Sequence, residues 1–395
     1  MFNFIYHTPT QVVFGKGAEE HTGALVKAQG CKKVLIHYGG GSAVRSGLLG
    51  RIKASLDSAG VAYTELGGVV PNPRLSLVYR GIELSRREGV DFILAVGGGS
   101  VIDSAKAVAY GLAEQADVWE LYDHTRKAKA CLPVGVVLTI AASGSEMSNS
   151  SVITKDEGGI KRSYNDDICR PRFAVMDPEL TVTLPPYQTA SGCVDILMHT
   201  MERYFTPNGT MELTDALAEA LMRTVMKQAL ILRVDPSNYD ARAEIMWAGS
   251  LSHNGLTECG NGGNDFSVHA LEHELSGMYD VAHGAGLAAL WGSWARYVYR
   301  ECLPRFERFA VRVLGIPAGA DAEETARRGI EAMEAFFRSI GMPTSLRELG
   351  LEPSEEDLVT LARNCAIATG GTKGSAKKLH EADMLAIYRM AVQGH

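Results

Sequence analysis

None of the seven cysteines, at 31, 131, 169, 193, 259, 302 and 365, forms a C-x-x-C pair, so neither a disulfide framework nor a cysteine metal knuckle is expected. This usage suits a reducing cytoplasm. Lysine and arginine form no cluster and the net charge is -7, which removes the footprint of a nucleic-acid or anionic-membrane partner. No apolar run approaches the ~20 residues that span a bilayer; the longest near the middle, 132–142, opens with Leu132-Pro133. The N-terminus, MFNFIYHTPTQVVFG, lacks the basic flank, unbroken apolar stretch and small-residue cleavage site of a secretory signal, and reads as part of the fold. Repeats and low-complexity tracts are absent too. What is present, 46% hydrophobic and 22% charged residues, suits two globular domains acting on a small molecule.

From about residue 32 to 177, short β-branched runs alternate with helical patterns, the rhythm of a parallel sheet wrapped by crossover helices. KKVLIHY (32–38), DFILAV (91–96) and PVGVVLTI (133–140) are the expected strands, and each empties into a glycine or serine loop. Beyond Leu184-Pro185-Pro186 the strand signal stops. Apolar residues near period 3.6 take over, among them Leu213, Leu217, Leu221, Val225 and Leu232. The expected organisation is an α/β Rossmann-like domain over 1–180 and an all-α domain over 181–395.

The run VGGGSVIDSAK (96–106) joins a strand to a helix, where glycines let backbone N–H groups approach a phosphate at the positive end of the helix dipole. It matches neither G-x-G-x-x-G nor the G-x-x-x-x-G-K-[ST] loop. A plain glycine turn with a capping box of Ser100 and Asp103 would explain the same residues. A second Gly-Gly-Gly-Ser, at 39–42, also follows a strand, and two such loops at one sheet edge suit an extended ligand with several phosphates. The first loop carries no acid to hold a ribose 2′-hydroxyl and leaves room for a 2′-phosphate near Ser42, Arg45 or Ser46. That favours NADP, with NAD also accommodated.

His269 and His273 lie four apart and share a helix face, and His283 can fold back over it. Asp195 and His199 form a second i, i+4 pair in GCVDILMHTMERY, an otherwise apolar segment in which an unpaired carboxylate is costly to bury. Taken singly they could be a surface carboxylate and a core histidine. Together Asp195, His199, His269 and His283 offer one carboxylate and three imidazoles, a set suited to Fe(II), Zn(II) or a similar divalent ion and poorly suited to Mg or Ca. His269-Ala-Leu-Glu272-His273 also matches H-x-x-E-H, the inverted zinc-peptidase signature, but that reading leaves Asp195, His199, His283 and both glycine loops unexplained.

With these residues in place, the chain resembles the iron-containing, or group III, alcohol dehydrogenase family from about residue 8 to the C-terminal helix. The family's G-G-G-S-x-x-D-x-x-K is seen at 97–106, its D-x-x-x-H as Asp195 and His199, and its paired histidines as His269 and His283. The Gly-Gly-Gly-Ser loop at 39–42, Gly192-Cys-Val-Asp195 and YDVAHGAGLAALW (279–291) are similar to its butanol dehydrogenase and NADPH-dependent aldehyde reductase branch. The resemblance implies a dehydroquinate synthase-like fold, with dinucleotide and metal facing each other across a cleft. It implies dinucleotide contacts at Gly40, Gly41, Ser42, Asn72, Gly97, Gly98, Gly99, Ser100, Asp103, Thr139, Ser143 and Lys161, although Lys161 also reads as a solvated loop lysine. It further implies that His273 stands near the substrate without ligating the metal, and that the protein is a homodimer through the segment TPTQVVFG (8–15).

The expected reaction is hydride transfer between NAD(P)H and a small primary alcohol or aldehyde such as butanol or butyraldehyde, with His273 exchanging the hydroxyl proton. A sugar-phosphate lyase on the dehydroquinate synthase-like scaffold is the alternative. It would want basic residues for an anionic substrate, whereas the acids Glu202, Glu272 and Glu274 surround the histidines.

Overall fold

The computed structural model describes residues 1–207 and 211–394. They divide into two compact units: His7–Thr183, and Leu184–His395 together with Met1–Tyr6. The first six residues thus belong with the C-terminal unit and not with the α/β one.

The strands of the His7–Thr183 unit are β1 (Gln11–Phe14), β2 (Lys33–Gly39), β3 (Ala62–Val69), β4 (Phe92–Gly97), β5 (Val134–Leu138), β6 (Ser150–Lys155), β7 (Ile160–Asn165) and β8 (Phe173–Met176). Six of them form one parallel sheet in the order β1-β8-β5-β4-β2-β3. The three expected strands are β2, β4 and β5. Every residue of β4 and β5 is buried, so both faces of the sheet are covered there, which is why these strands read as unbroken apolar runs. Among the crossover helices are α1 (Leu48–Ala59), α2 (Leu75–Glu88) and α3 (Gly99–Ala113). Leu48, Leu49, Ile52 and Leu56 of α1 pack into one core with Val34, Ile36, Phe92, Leu94 and Val96. Because β2 pairs with β4, Tyr38 against Val96, the loops after Gly39 and Gly97 emerge at one sheet edge.

One feature escaped the sequence. β6 and β7 form a separate antiparallel ladder with Thr154 opposite Lys161. Lys161 is therefore a buried strand residue and not a solvated loop lysine.

The other unit is helical: α4 (Pro186–Tyr204), α5 (Glu212–Val234), α6 (Tyr239–His253), α7 (Ser267–Tyr279) and α8 (His283–Val298) come first, followed by further helices up to Glu381–Gln393. Among its described residues the only β pairing is the isolated bridge of Lys373 with Leu379. Proline at the start of α4 leaves no N–H unsatisfied there and presets the backbone, so Leu184-Pro185-Pro186 is a helix start as well as a break. The apolar stripe expected on α5 is correct from Leu221 onward, but Leu213 and Leu217 are exposed. In that first half of α5 the inward positions are taken by Asp215 and Glu219. Arg305 grips Asp215 with two hydrogen bonds of 2.6 and 2.7 Å, and Arg308 reaches Glu219 at 2.6 Å. The α/β plus all-α class is as the sequence led us to expect.

Candidate functional site

In the α/β unit the glycine run opens α3 directly. Gly98 is its N-cap residue and supplies no side-chain cap; Val101 N donates to Gly98 O at 3.0 Å, which leaves the N–H groups of Gly99 and Ser100 at the helix start to meet an anion. The capping box of Ser100 and Asp103 does not form. Asp103 turns away instead: its Oδ1 accepts from Ser145 Oγ at 2.6 Å and its Oδ2 from Val152 N at 3.1 Å. Lys106, wholly buried, donates to the carbonyls of Ser145, Ser148 and Ser150 at 2.7, 3.0 and 2.8 Å. Burial pushes the Asp103 carboxyl up and the Lys106 ammonium down from their ordinary values. Asp103 and Lys106 therefore brace the segment that follows β5, and with it Ser143.

Thr139 N bonds Gly97 O at 3.1 Å, and the Ser143 hydroxyl lies where a Cβ on Gly99 would fall. Thr139, Ser143 and the 97–100 turn are thus brought together. Asn72 is buried with φ 53° just ahead of Pro73, whose carbonyl holds Thr154 N at 2.8 Å, opposite Lys161. After β2, Gly40 and Gly41 lead into a short helical turn, Ser42–Arg45. The Arg45 guanidinium folds over Gly41, and no acid of the described residues pairs with it.

In the helical unit α4 presents Asp195, His199 and Glu202 at i, i+4 and i+7, on one face. His269 lies in the first turn of α7, and His283 is the first residue of α8. Gly284 lets α8 approach α4: a Cβ there would overlap the carbonyl of Ser191. Asp195 Oδ1 is the point of convergence, 3.2 Å from His199 Nδ1, 3.6 Å from His269 Nε2 and 3.8 Å from His283 Nε2.

Asp195, His199 and His269 are buried, and Asp195 Oδ1, His199 Nδ1 and His269 Nε2 have no hydrogen-bond partner. Three orphaned polar atoms aimed at one another are costly unless a cation lies among them. Asp195, His199 and His269 lie close enough together to share one ion; His283, whose Nε2 also faces Asp195, forms a second close group with Glu272 and His273. Carboxylate and imidazole donors suit an iron- or zinc-like ion, so the residues fit the group the sequence implied. Burial pushes the Asp195 carboxyl up, but the surrounding imidazoles, His199 first, hold it well below the usual carboxylate range. Burial drives His199 well below its ordinary value. His269 is also opposed by burial, yet Glu202 and Asp195 raise it to about 9. Without an ion, a proton on His269 offsets the charge of these acids.

Two acids complete the arrangement. Glu202 Oε2 accepts from His269 Nδ1, and Glu272 Oε2 accepts from His283 Nδ1. In the sequence these acids told only against an anionic substrate. The signal for Glu202 was its i+7 spacing from Asp195. The H-x-x-E-H residues are split between two groups, His269 with Asp195 and His199, and Glu272 and His273 with His283, so the motif does not form one peptidase centre here. His273 is half-buried on α7, its ring 6.4 Å from that of His269 and 5.8 Å from that of His283.

A dinucleotide-type parallel sheet and a helical unit with an acid–imidazole cluster define the class of metal-dependent nicotinamide oxidoreductases. The chain matches the models named "Iron-containing alcohol dehydrogenase" over residues 9–178 and "Fe-containing alcohol dehydrogenase family, C-terminal" over residues 189–392. It is 40% identical to the NADH-dependent butanol dehydrogenase A of Clostridium acetobutylicum, over 98% of this chain and 99% of that one. It is 37% identical to the NADPH-dependent aldehyde reductase YqhD of Escherichia coli, over 90% of this chain and 91% of that one. The crystal structure of an NADH-dependent butanol dehydrogenase A from Thermotoga maritima superposes with a TM-score of 0.96 at 37% identity, covering 99% of both chains. The chain belongs to the iron-containing alcohol dehydrogenase family. The lyase alternative is not favoured, since these relatives are dehydrogenases and reductases.

Proposed function

We propose that this protein interconverts small primary alcohols and aldehydes, of the size of butanol and butyraldehyde, using NAD(P)H and one divalent ion held by Asp195, His199, His269 and His283. The observation that carries this reading is the trio of buried, partnerless atoms on Asp195, His199 and His269. When bound, the ion supplies Lewis acidity toward a carbonyl or hydroxyl oxygen, and the nicotinamide supplies or accepts the hydride.

The chain's own residues do the rest. Gly97, Gly98, Gly99 and Ser100 offer backbone N–H groups to the pyrophosphate, with Thr139 and Ser143 alongside and Asn72 and Lys161 on the neighbouring turn and strand. Asp103 contributes by holding Ser145 and the backbone of Val152 in place. Gly40, Gly41 and Ser42 receive the adenosine ribose. Arg45 over Gly41, with no acid of the described residues paired to it, supports acceptance of a 2′-phosphate, as in the relative named for NADPH; the relatives named for NADH weigh toward NAD, so both cofactors are taken. His273 takes the hydroxyl proton in oxidation and returns it in reduction.

The exposed edge strand β1 supports a homodimer built through residues 8–15. The cysteines form no disulfide and no helix of the described residues is long and apolar enough to cross a membrane, which fits a reducing, cytoplasmic setting.

The test is to strip the protein of metal, reload it separately with Fe(II) and Zn(II), and follow NADH and NADPH absorbance with butyraldehyde. Ion-dependent oxidation of either cofactor is the expected result. No oxidation across several aldehydes in fully loaded protein would sink the reading.

A further inference from the structure

We infer that Glu202 and Glu272 are positioning residues of the ion site, each fixing the tautomer and direction of one histidine ligand; this rests on the ion-site reading above. A carboxylate can only accept, so the Nδ1 of His269 facing Glu202 and the Nδ1 of His283 facing Glu272 each carry a proton. The lone pair is thereby left on Nε2, the atom that each ring turns toward Asp195 Oδ1, at 3.6 and 3.8 Å.

The two acids are anchored differently, and this gives them different tolerances. Glu202 sits one turn beyond His199 on α4 and is wholly buried. Its Oε1 accepts from Val268 N at 2.7 Å and from His269 N at 3.4 Å, so the side chain that orients the His269 ring also satisfies the start of α7. The same start is pinned from the other side, where Asp265 N donates to Glu202 O at 2.8 Å and the Asp265 carboxylate accepts from Ser267 N at 3.1 Å. Both Glu202 oxygens therefore face donors that cannot turn round. Glu272 shares its oxygens between His283 Nδ1 and the hydroxyl of Ser276, and that hydroxyl has the Val281 carbonyl as a second acceptor at 3.5 Å.

Glutamine separates the two cases. In Glu202→Gln the amide must face either Val268 N–H, donor against donor, or His269 Nδ1, which would push the imidazole proton onto Nε2 and block it as a ligand. In Glu272→Gln the amide oxygen can keep His283 Nδ1–H while the Ser276 hydroxyl turns to Val281 and accepts from the amide NH2. Control through tautomers thus makes E202Q the more damaging change, whereas a role through charge alone would make the two alike.

The experiment measures Zn(II) affinity by competition with a chromophoric chelator, together with the visible spectrum of the Co(II)-loaded protein and the melting temperature of the metal-free protein, for native, E202Q and E272Q chains. E202Q is expected to bind Zn(II) about 10- to 100-fold more weakly with an altered Co(II) spectrum, and E272Q to lose less than about tenfold. Native affinity and an unchanged Co(II) spectrum in E202Q would overturn the inference, as would equal losses in both variants. If E202Q does not fold, Glu272→Ala carries the test, because it leaves the start of α7 untouched. At least about a tenfold loss is expected there, and native affinity would overturn the inference. No Zn(II) or Co(II) uptake by the native chain is a separate result, and it removes the ion-site reading itself.

Discussion

The Ser143 hydroxyl occupies the space that a Cβ on residue 99 would need, so Gly99 and Ser143 are fitted to each other at the start of α3. The glycine is required by this close approach, since its backbone needs no unusual φ. Gly99→Ala should force Ser143 aside and spoil the phosphate-facing turn, raising KM for the dinucleotide about tenfold, roughly 1.4 kcal/mol of binding, with Zn(II) affinity unchanged. Adding Ser143→Ala to the same chain removes the overlapping hydroxyl and should recover part of the loss. Steady-state kinetics on the single and double variants would decide, and an unchanged KM in G99A would remove this account of the loop.

Cofactor choice can be tested one loop away. Gly40 has nothing within 4 Å of its would-be Cβ and no positive φ, so an acid fits there without strain. Gly40→Asp should accept a hydrogen bond from a ribose 2′-hydroxyl and repel a 2′-phosphate. We expect kcat/KM for NADPH to fall by about 100-fold, some 3 kcal/mol, while NADH is used as well as before or better. Equal effects on both cofactors would show that the Gly40–Ser42 turn does not meet the adenosine ribose.

The legible parts of the sequence were those whose chemistry is local. β4 and β5 announced themselves because strands covered on both faces carry unbroken apolar runs, and β2 by the apolar core Val34-Leu35-Ile36. The shared faces of Asp195 with His199 and of His269 with His273 were legible because i, i+4 spacing within a helix is a property of a single segment. The hairpin of β6 and β7 was not, since GGIKRSYND alternates polar residues around two glycines and reads as a loop. Leu213 and Leu217 misled because the partners that let Asp215 and Glu219 turn inward, Arg305 and Arg308, arrive from a helix far along the chain. Glu202 had the right spacing, but that its other oxygen holds the start of α7 is a tertiary fact.

His273 and His283 should separate cleanly. His283→Ala removes a ring nitrogen that faces Asp195 and should weaken Zn(II) retention, abolishing turnover with it. His273, its ring 5.8 Å from that of His283, is not among the residues grouped with Asp195, so His273→Ala should retain a full complement of Zn(II) and lose roughly 10- to 1000-fold in kcat. Metal content by elemental analysis, read beside kcat, distinguishes the two roles. Native kcat in the His273 variant would refute the proton-transfer role.

His37 links the α/β unit's stability to pH. It is wholly buried on β2, with Nδ1–H donating to the Leu66 carbonyl at 2.9 Å and Nε2 accepting from Ser104 Oγ of α3 at 2.8 Å. Burial pushes its pKa down from 6.5 to about 4. Between those values the unfolded chain binds a proton that the folded one refuses. The stabilisation is therefore complete above pH 6.5, declines by at most about 1.4 kcal/mol per pH unit as pH falls toward 4, and levels off below that. The full loss is on the order of 3 kcal/mol. Gln at this position can donate to Leu66 and accept from Ser104 but cannot titrate. In His37→Gln the fall in unfolding free energy between pH 6.5 and 4 should be shallower than in the native chain by that amount, as measured by urea denaturation at several pH values. Carboxylates elsewhere titrate in both proteins and cancel in the difference, so parallel curves would mean that His37 is not held neutral by the fold.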